Sequence, residues 1–119
     1  VGSGTAPPTM PLLEVTDADP PVLVRDQDGI AVGGVRTPPV DVPVDVLSGQ
    51  PGPSEDLFCL LLGSTTPLPA ERLAVLYPTR AAYESAYDEQ VNAAIDQGVV
   101  LADDLAALRA YAQPDRITG

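Results

Sequence analysis

Hydrophobic and polar positions divide the chain into two parts of different character. The first part, to about Gly63, is rich in Pro, Gly and Val, and twelve of the fourteen prolines lie at or before Pro69. Because proline fixes φ and has no amide donor, we expect this part to be extended and irregular. The second part is rich in Ala and Leu, which favour helix. The pattern therefore predicts an extended segment over residues 1–68 and a helical segment over residues 69–119.

The extended segment contains a candidate β-hairpin. Residues 1–11 form a proline-rich lead-in, and residues 12–16 are a short strand candidate. The β-rich runs 21–26 and 30–35 then flank Gln27-Asp28-Gly29, and Asp-Gly between two such runs is typical of a hairpin turn. The glycines at 33 and 34 are expected to end the second strand or to form a bulge.

Residues 40–46 alternate strictly between Val and Asp or Pro. A period of two predicts an extended ribbon with four valines on one face and a polar outer face of Asp41, Pro43 and Asp45. Pro43 lacks a donor, so the ribbon is expected at an edge of the sheet. Residues 48–55 read as a Gly/Pro loop, and the apolar run 57–62 follows it.

Three helices are predicted after Pro69. The first covers residues 70–77 and stops at Pro78, and the second begins after the N-cap candidate Thr79 and runs to Gln97 before Gly98. The third covers residues 102–113, so the last two form an antiparallel helical hairpin. Apolar faces at helical spacing support both members; they comprise Tyr83, Tyr87, Val91, Ala94 and Ile95 on the longer helix and Leu101, Leu105, Leu108 and Ala112 on the last.

Charge excludes some classes of partner. The chain has 6 arginines, no lysine and 17 acidic residues, for a net charge of -11. Binding to nucleic acid or to an anionic membrane is therefore not expected, because both need a basic surface. No apolar run reaches transmembrane length and no signal peptide pattern is visible. The sequence leaves the compartment open between secreted and cytoplasmic.

The residue types present also limit catalysis. The chain contains no histidine, so neither a Ser-His-Asp nor a Cys-His arrangement can be assembled from it. The G-x-S-x-G pattern is absent as well. Asp26 and Asp28 lack the further ligands of a calcium loop, and the lone Cys59 in its apolar run is expected to be a buried, inert thiol. We therefore assign no catalytic residue, no metal site and no cofactor.

The residue types of segment 33–43 are the least well explained by local secondary structure alone. It combines two glycines, stiff prolines and an arginine with an aspartate within reach. One interpretation is structural, with Arg36 pairing Asp41 to hold the proline-rich turn. The other places Arg36, Thr37 and Asp41 at the border of a substrate pocket. We favour the first and keep all three residues as pocket candidates.

The order of motifs resembles the C-terminal region of bacterial α/β-hydrolase-domain proteins. The motifs span nearly the whole chain, and in order they are Gly4-Thr5-Ala6-Pro7-Pro8, Leu13-Glu14-Val15, Gly33-Gly34-Val35-Arg36-Thr37-Pro38, Val40-Asp41-Val42-Pro43, Leu47-Ser48-Gly49, the run containing Cys59, Gly63-Ser64-Thr65-Thr66-Pro67, and Leu73 to Pro78.

The resemblance implies an α+β fragment of an α/β-hydrolase, with a β-hairpin and extended ribbon followed by a helical hairpin. In such a family the serine, acid and histidine would lie upstream, so the complete protein would be a serine hydrolase, an esterase or related acyl hydrolase. This chain would be its non-catalytic C-terminal segment, completing the fold and bordering the pocket for a small ester or acyl substrate. Its partner would be the upstream catalytic portion, joined covalently or as a cleaved chain.

Two other interpretations stay open. The chain could be a small acidic binding or interaction module with no catalytic activity, which its charge and lack of histidine also suit. Alternatively, the hydrolase scaffold could have lost catalysis altogether. A nucleophile elbow and a histidine encoded upstream of Val1 would favour the hydrolase, whereas an initiating Met just before Val1 would favour the module.

Overall fold

The computed structural model of the chain describes residues 4–6, 8–51 and 56–119, apart from the side chain of Cys59. The expectation of a buried thiol and parts of the predicted lead-in and Gly/Pro loop lie outside the described residues. The elements are α1 (Pro38–Asp41), β1 (Asp45–Ser48), α2 (Leu57–Leu62), β2 (Ser64–Pro67), α3 (Ala70–Leu76), α4 (Arg80–Asp96), a 3-10 turn (Ala102–Asp104), α5 (Leu105–Ala110) and a second 3-10 turn (Pro114–Arg116).

Helix α4 is the centre of the fold, and its predicted limits are confirmed. The Thr79 hydroxyl accepts a hydrogen bond from the Ala82 amide, so Thr79 is the N-cap. Beyond its last residue, Asp96, Gly98 has a φ of 72°, which favours glycine. Its predicted apolar face is buried at Tyr83, Tyr87, Val91 and Ala94.

The core forms around this face of α4. Helix α1, helix α5 and the second 3-10 turn all contact α4. The remaining members of the core come from the ribbon, α3 and the C-terminal segment, and they are Val42, Val44, Leu68, Leu73, Tyr77, Leu108 and Ile117. The core therefore has one central helix with several short surrounding elements, and it contains three of the five aromatic residues of the chain, Tyr77, Tyr83 and Tyr87.

The predicted ribbon over residues 40–46 is wrong in its first half. Pro38–Asp41 is a helical turn, in which the Thr37 carbonyl accepts from the amides of Val40 and Asp41. Pro38 favours this turn because proline at the first helical position has a φ suited to helix. The strand begins only at Asp45.

The outer face of the ribbon also differs from the prediction. Pro43 is buried, and its carbonyl accepts from the Tyr77 hydroxyl at 3.0 Å. Asp45 is partly buried rather than solvated. Since Asp41 lies in α1 and Asp45 in β1, the two acids do not share one strand face.

Strands β1 and β2 form an antiparallel pair in which Asp45 faces Pro67 and Ser48 faces Ser64. Helix α2, which was not predicted, lies between them in the chain. Its end at Gly63 has a φ of 65°, and a Cβ there would lie 2.2 Å from the Ser48 carbonyl oxygen. Glycine at this position therefore lets the chain leave α2 and return beside β1.

The region of the predicted hairpin is held by isolated antiparallel bridges, not by continuous strands. Leu13 faces Gly33, Val15 faces Leu23, and Arg25 faces Ala31 across the turn at 27–29. A bidentate ion pair joins this region to α3, because Arg72 Nε and Nη2 lie 2.6 and 2.8 Å from the two carboxylate oxygens of Asp28.

The last predicted helix is shorter than expected and broken. A 3-10 turn over Ala102–Asp104 precedes α5, which ends at Ala110. The amide of Gln113 donates to the Tyr83 hydroxyl instead of to a helix carbonyl, and Pro114 follows, so the helix cannot continue. The antiparallel arrangement with α4 remains, and Leu108 is the buried residue of α5.

The chain exposes more surface than a compact protein of its size. Its accessible surface is 8160 Å², whereas a compact monomer of this mass exposes about 6,100 Å². Its radius of gyration is 16.1 Å, against about 13.5 Å for a compact domain of this length. Part of this excess is apolar and lies on α2, where five large side chains are exposed: Leu57, Phe58, Leu60, Leu61 and Leu62.

Candidate functional site

Arg36 and Asp41 form an ion pair beside the α1 turn. Arg36 Nε lies 2.6 Å from Asp41 Oδ1, and Arg36 Nη1 donates to the Ala31 carbonyl at 2.9 Å. This is the geometry of the structural interpretation, because the pair ties α1 to the segment before it. The place of these two residues in a substrate pocket stays a prediction.

Thr37, between them, lines a cleft of about 490 Å³. The cleft lies where α1, the β1–β2 pair, α4 and α5 meet. Five of its lining side chains are apolar, namely Pro39, Val42, Val44, Leu47 and Leu108. The volume is within the usual range for small-molecule sites, about 300–1,000 Å³.

Three tyrosines form a second part of the wall, and two of them are anchored by hydrogen bonds. The Tyr87 hydroxyl donates to the Leu108 carbonyl at 3.1 Å. The Tyr83 hydroxyl accepts from the Gln113 amide at 2.9 Å. Tyr83 also contacts Tyr77 edge to face, with ring centroids 5.1 Å apart. The third wall residue, Tyr111, is largely exposed at the mouth.

Asp45 is the charged residue among the lining side chains, and it is already paired. Arg116 Nη1 lies 3.0 Å from Asp45 Oδ1, and Gln113 Nε2 donates to Oδ2 at 3.1 Å. The strand alternation of β1 places Asp45 and Leu47 on one face, with Thr65 of β2 opposite Leu47. This face forms the third side of the cleft.

The phenols of Tyr83 and Tyr87 are not suited to act as bases at neutral pH. Burial raises the pKa of Tyr87 to about 12, and the neighbouring Tyr83 and Tyr111 add to the effect. Burial also raises the pKa of Tyr83, although the hydrogen bond from the Gln113 amide opposes it. Protonated phenols and a paired carboxylate can bind and orient a ligand, but they do not form a nucleophile and base pair.

Of the three pocket candidates, Thr37 lines this cleft, and its role at a substrate pocket stays a prediction; most of the other lining residues were not candidates. The tyrosines at 83 and 87 were identified by their helical spacing as core, and they are both core and wall. Asp45 was assigned to a solvated face, because no sequence signal linked it to Arg116, which lies 71 residues away. Long-range pairing of this kind has no local pattern.

The described part of the chain shows neither a metal cluster nor a membrane-spanning helix. Among residues 4–6, 8–51 and 56–119, no group of three or more His, Cys, Asp or Glu converges as a metal site would. Within the same residues, no helix is both long and apolar enough to cross a bilayer.

Comparison with protein families identifies the class of the chain. The family model of the alpha/beta hydrolase domain matches residues 1–110. The match covers most of the sequence, so the chain belongs to the α/β-hydrolase domain family. No curated protein and no solved structure gives a significant match. The resemblance found in the motifs is therefore confirmed at the level of the family.

Proposed function

We propose that this chain is the non-catalytic C-terminal segment of an α/β-hydrolase, completing its fold and bordering its substrate pocket. The complete protein would hydrolyse esters or related acyl compounds through a serine nucleophile. Family membership supports the hydrolase class. The absence of histidine supports a catalytic centre supplied by another part of the protein.

The observation that carries this proposal is the uncovered apolar surface of α2. Phe58 and Leu61 are three positions apart and Leu57 and Leu61 four, so their side chains lie close together on the short helix. Leu61 is 71% exposed. Together with the surface excess of the whole chain, this surface favours a covering partner, and the catalytic portion of the same hydrolase is the partner we propose.

The cleft supports the second half of the proposal. Thr37, one of the three pocket candidates, lines it, and the Arg36–Asp41 pair holds the α1 turn from which Thr37 projects. In the complete hydrolase the cleft would receive a part of the substrate that does not react. Arg36 and Asp41 would then act by fixing the position of that wall.

The test is intact mass, under native and denaturing conditions, of material purified with this chain, combined with a serine-directed fluorophosphonate probe. We expect a polypeptide larger than 12.3 kDa, either containing this chain or bound to it, that the probe modifies. Prior heat denaturation should abolish labelling and provides the control. A chain that stands alone, folded and monomeric, with nothing labelled, would contradict the proposal and favour the acidic binding module.

A further inference from the structure

The cleft has a lining that discriminates among classes of ligand. We propose that it binds an uncharged, largely apolar small molecule that carries a hydroxyl group. If the proposed function is correct, this molecule corresponds to the alcohol or acyl part of the ester, and only that identification rests on the proposed function. Binding itself depends on the side chains of this chain.

The apolar side chains that line the cleft favour a ligand with a large apolar part. Val42 and Val44 are buried below the cleft, while Leu47 is only half-covered and presents free apolar surface. Tyr83 and Tyr87 are fixed by their hydroxyl hydrogen bonds, so their rings form rigid walls. Burying apolar surface against preformed walls is the usual source of affinity in such sites.

Asp45 and the pairing of the arginines disfavour a charged ligand of either sign. An anion would meet the Asp45 carboxylate, and every arginine of the chain already donates to a protein oxygen. A cation would find a carboxylate already neutralised by Arg116. An anion would lose its hydration beside a carboxylate. An ammonium could donate to the remaining Asp45 lone pairs, but a carboxylate already paired with Arg116 attracts it weakly, so its larger desolvation cost is not offset.

The hydroxyl group is recognised by the oxygens that remain available. A carboxylate accepts about four hydrogen bonds, and Asp45 receives one from Arg116 and one from Gln113. A ligand hydroxyl can therefore donate to Asp45 without displacing either partner. The Thr37 and Thr65 side chains, which also line the cleft, offer further hydroxyl groups.

The proposal can be tested with three rigid probes that share one apolar cage: adamantanol, adamantanecarboxylate and adamantylammonium. Binding to the chain is followed by calorimetry and by the nuclear magnetic resonance signals of the tyrosine rings. We expect adamantanol to bind at least about tenfold more tightly than either ion, a difference of about 1.4 kcal/mol. The rings of Tyr83 and Tyr87 should show the largest shifts.

Two neighbouring threonines of β2 provide a matched pair of variants. Thr65 lines the cleft and Thr66 points to the other side of the strand, and both are exposed. Thr65→Trp should obstruct the cleft and weaken adamantanol binding at least about tenfold. Thr66→Trp should leave binding within about twofold of the original chain, a difference of roughly 0.4 kcal/mol. Tyr111→Ala, at a side chain that is 69% exposed, removes wall surface with little risk to folding.

The inference is overturned if adamantanol does not bind, if either ion binds as tightly, or if Thr66→Trp weakens binding as much as Thr65→Trp. Should Thr65→Trp unfold, retained binding by folded Tyr111→Ala would also overturn it. Its failure can be distinguished from failure of the hydrolase proposal. Adamantanol binding without fluorophosphonate labelling would keep the ligand class and remove the hydrolase, and the reverse result would do the opposite.

Discussion

Arg116 and Asp45 are 71 residues apart in the chain and joined at 3.0 Å. Arg116 also reaches the Val44 carbonyl at 3.3 Å, so it fastens the C-terminal segment across the start of β1. Because α5 and the second 3-10 turn have few buried side chains of their own, this polar contact positions one side of the cleft.

Asp45→Ala removes the acceptor of both Arg116 and Gln113. We expect the free energy of unfolding to fall by about 1–3 kcal/mol, because a partly buried guanidinium loses its charged partner. Asp115→Ala is the control, since Asp115 is 93% exposed where it meets Arg80 and its loss should cost no more than about 0.5 kcal/mol. Urea unfolding followed by circular dichroism measures both. Equal losses would show that burial does not set the strength of the Asp45 contact.

Tyr87→Phe tests the raised pKa of this phenol. The folded protein holds the Tyr87 proton until about pH 12, whereas the unfolded chain releases it near pH 10.0. The unfolded state binds fewer protons in this window. The contribution of Tyr87 to the free energy of unfolding is therefore fully present below pH 10.0 and is lost as the pH rises towards 12. The variant should lose less stability over the window than the original chain, measured by thermal unfolding at each pH. An identical pH dependence would mean that Tyr87 ionises in the folded state as it does in the unfolded one.

Arg72→Gln tests whether the bridged region at 13–33 depends on α3. The hydrogen bond from Arg72 lowers the pKa of Asp28 below its ordinary value of 3.8, so this contact stabilises the fold above that pH and is lost as the pH falls through the lowered value. The variant should exchange the amide protons of Val24 and Val32, which bond within the bridged region, faster than the original chain. The amides of α4 should change little.

Arg109→Gln is the matched control, because Arg109 also pairs with an aspartate, Asp88, but on the exposed side of α4. It should leave the exchange of Val24 and Val32 unchanged. If both variants accelerate these two amides equally, the region does not depend on α3 in particular.

Thr79→Ala tests the N-cap of α4. The hydroxyl of Thr79 accepts from the Ala82 amide at 3.1 Å, and its loss should lower the free energy of unfolding by about 1 kcal/mol. Ser85→Ala, on the exposed face of the same helix, should be neutral or slightly stabilising because alanine favours helix. Thermal unfolding of the two variants provides the comparison, and a harmless Thr79→Ala would show that α4 is fixed by packing alone.

Local signals predicted α4 and its antiparallel partner, although that partner is shorter than expected, and long-range contacts determine the rest of the fold. Helix α4 can be located from Thr79, Gly98 and the spacing of Tyr83 and Tyr87, because helix caps and helical periodicity depend on residues close together in the sequence. The alternation at 40–46 was outweighed at its start by Pro38, which favours a helical turn. The cleft forms only where β1, β2 and α5 meet, and Thr37 is the one residue of its wall that was predicted as a pocket candidate.

Leu61→Glu tests whether the exposed apolar surface of α2 is where the catalytic portion docks. Val75→Glu is the matched control, because Val75 is 70% exposed on α3 and Leu61 is 71% exposed. Both side chains are uncovered, so neither variant should change the thermal stability of the chain by itself. A charge buried at an interface is unfavourable. When the chain and the catalytic portion are separate polypeptides, Leu61→Glu should therefore reduce co-elution of the fluorophosphonate-labelled polypeptide at least about tenfold, while Val75→Glu retains it. Equal retention in both variants would place the docking surface elsewhere, and equal loss would mean that association follows overall charge instead of the α2 surface.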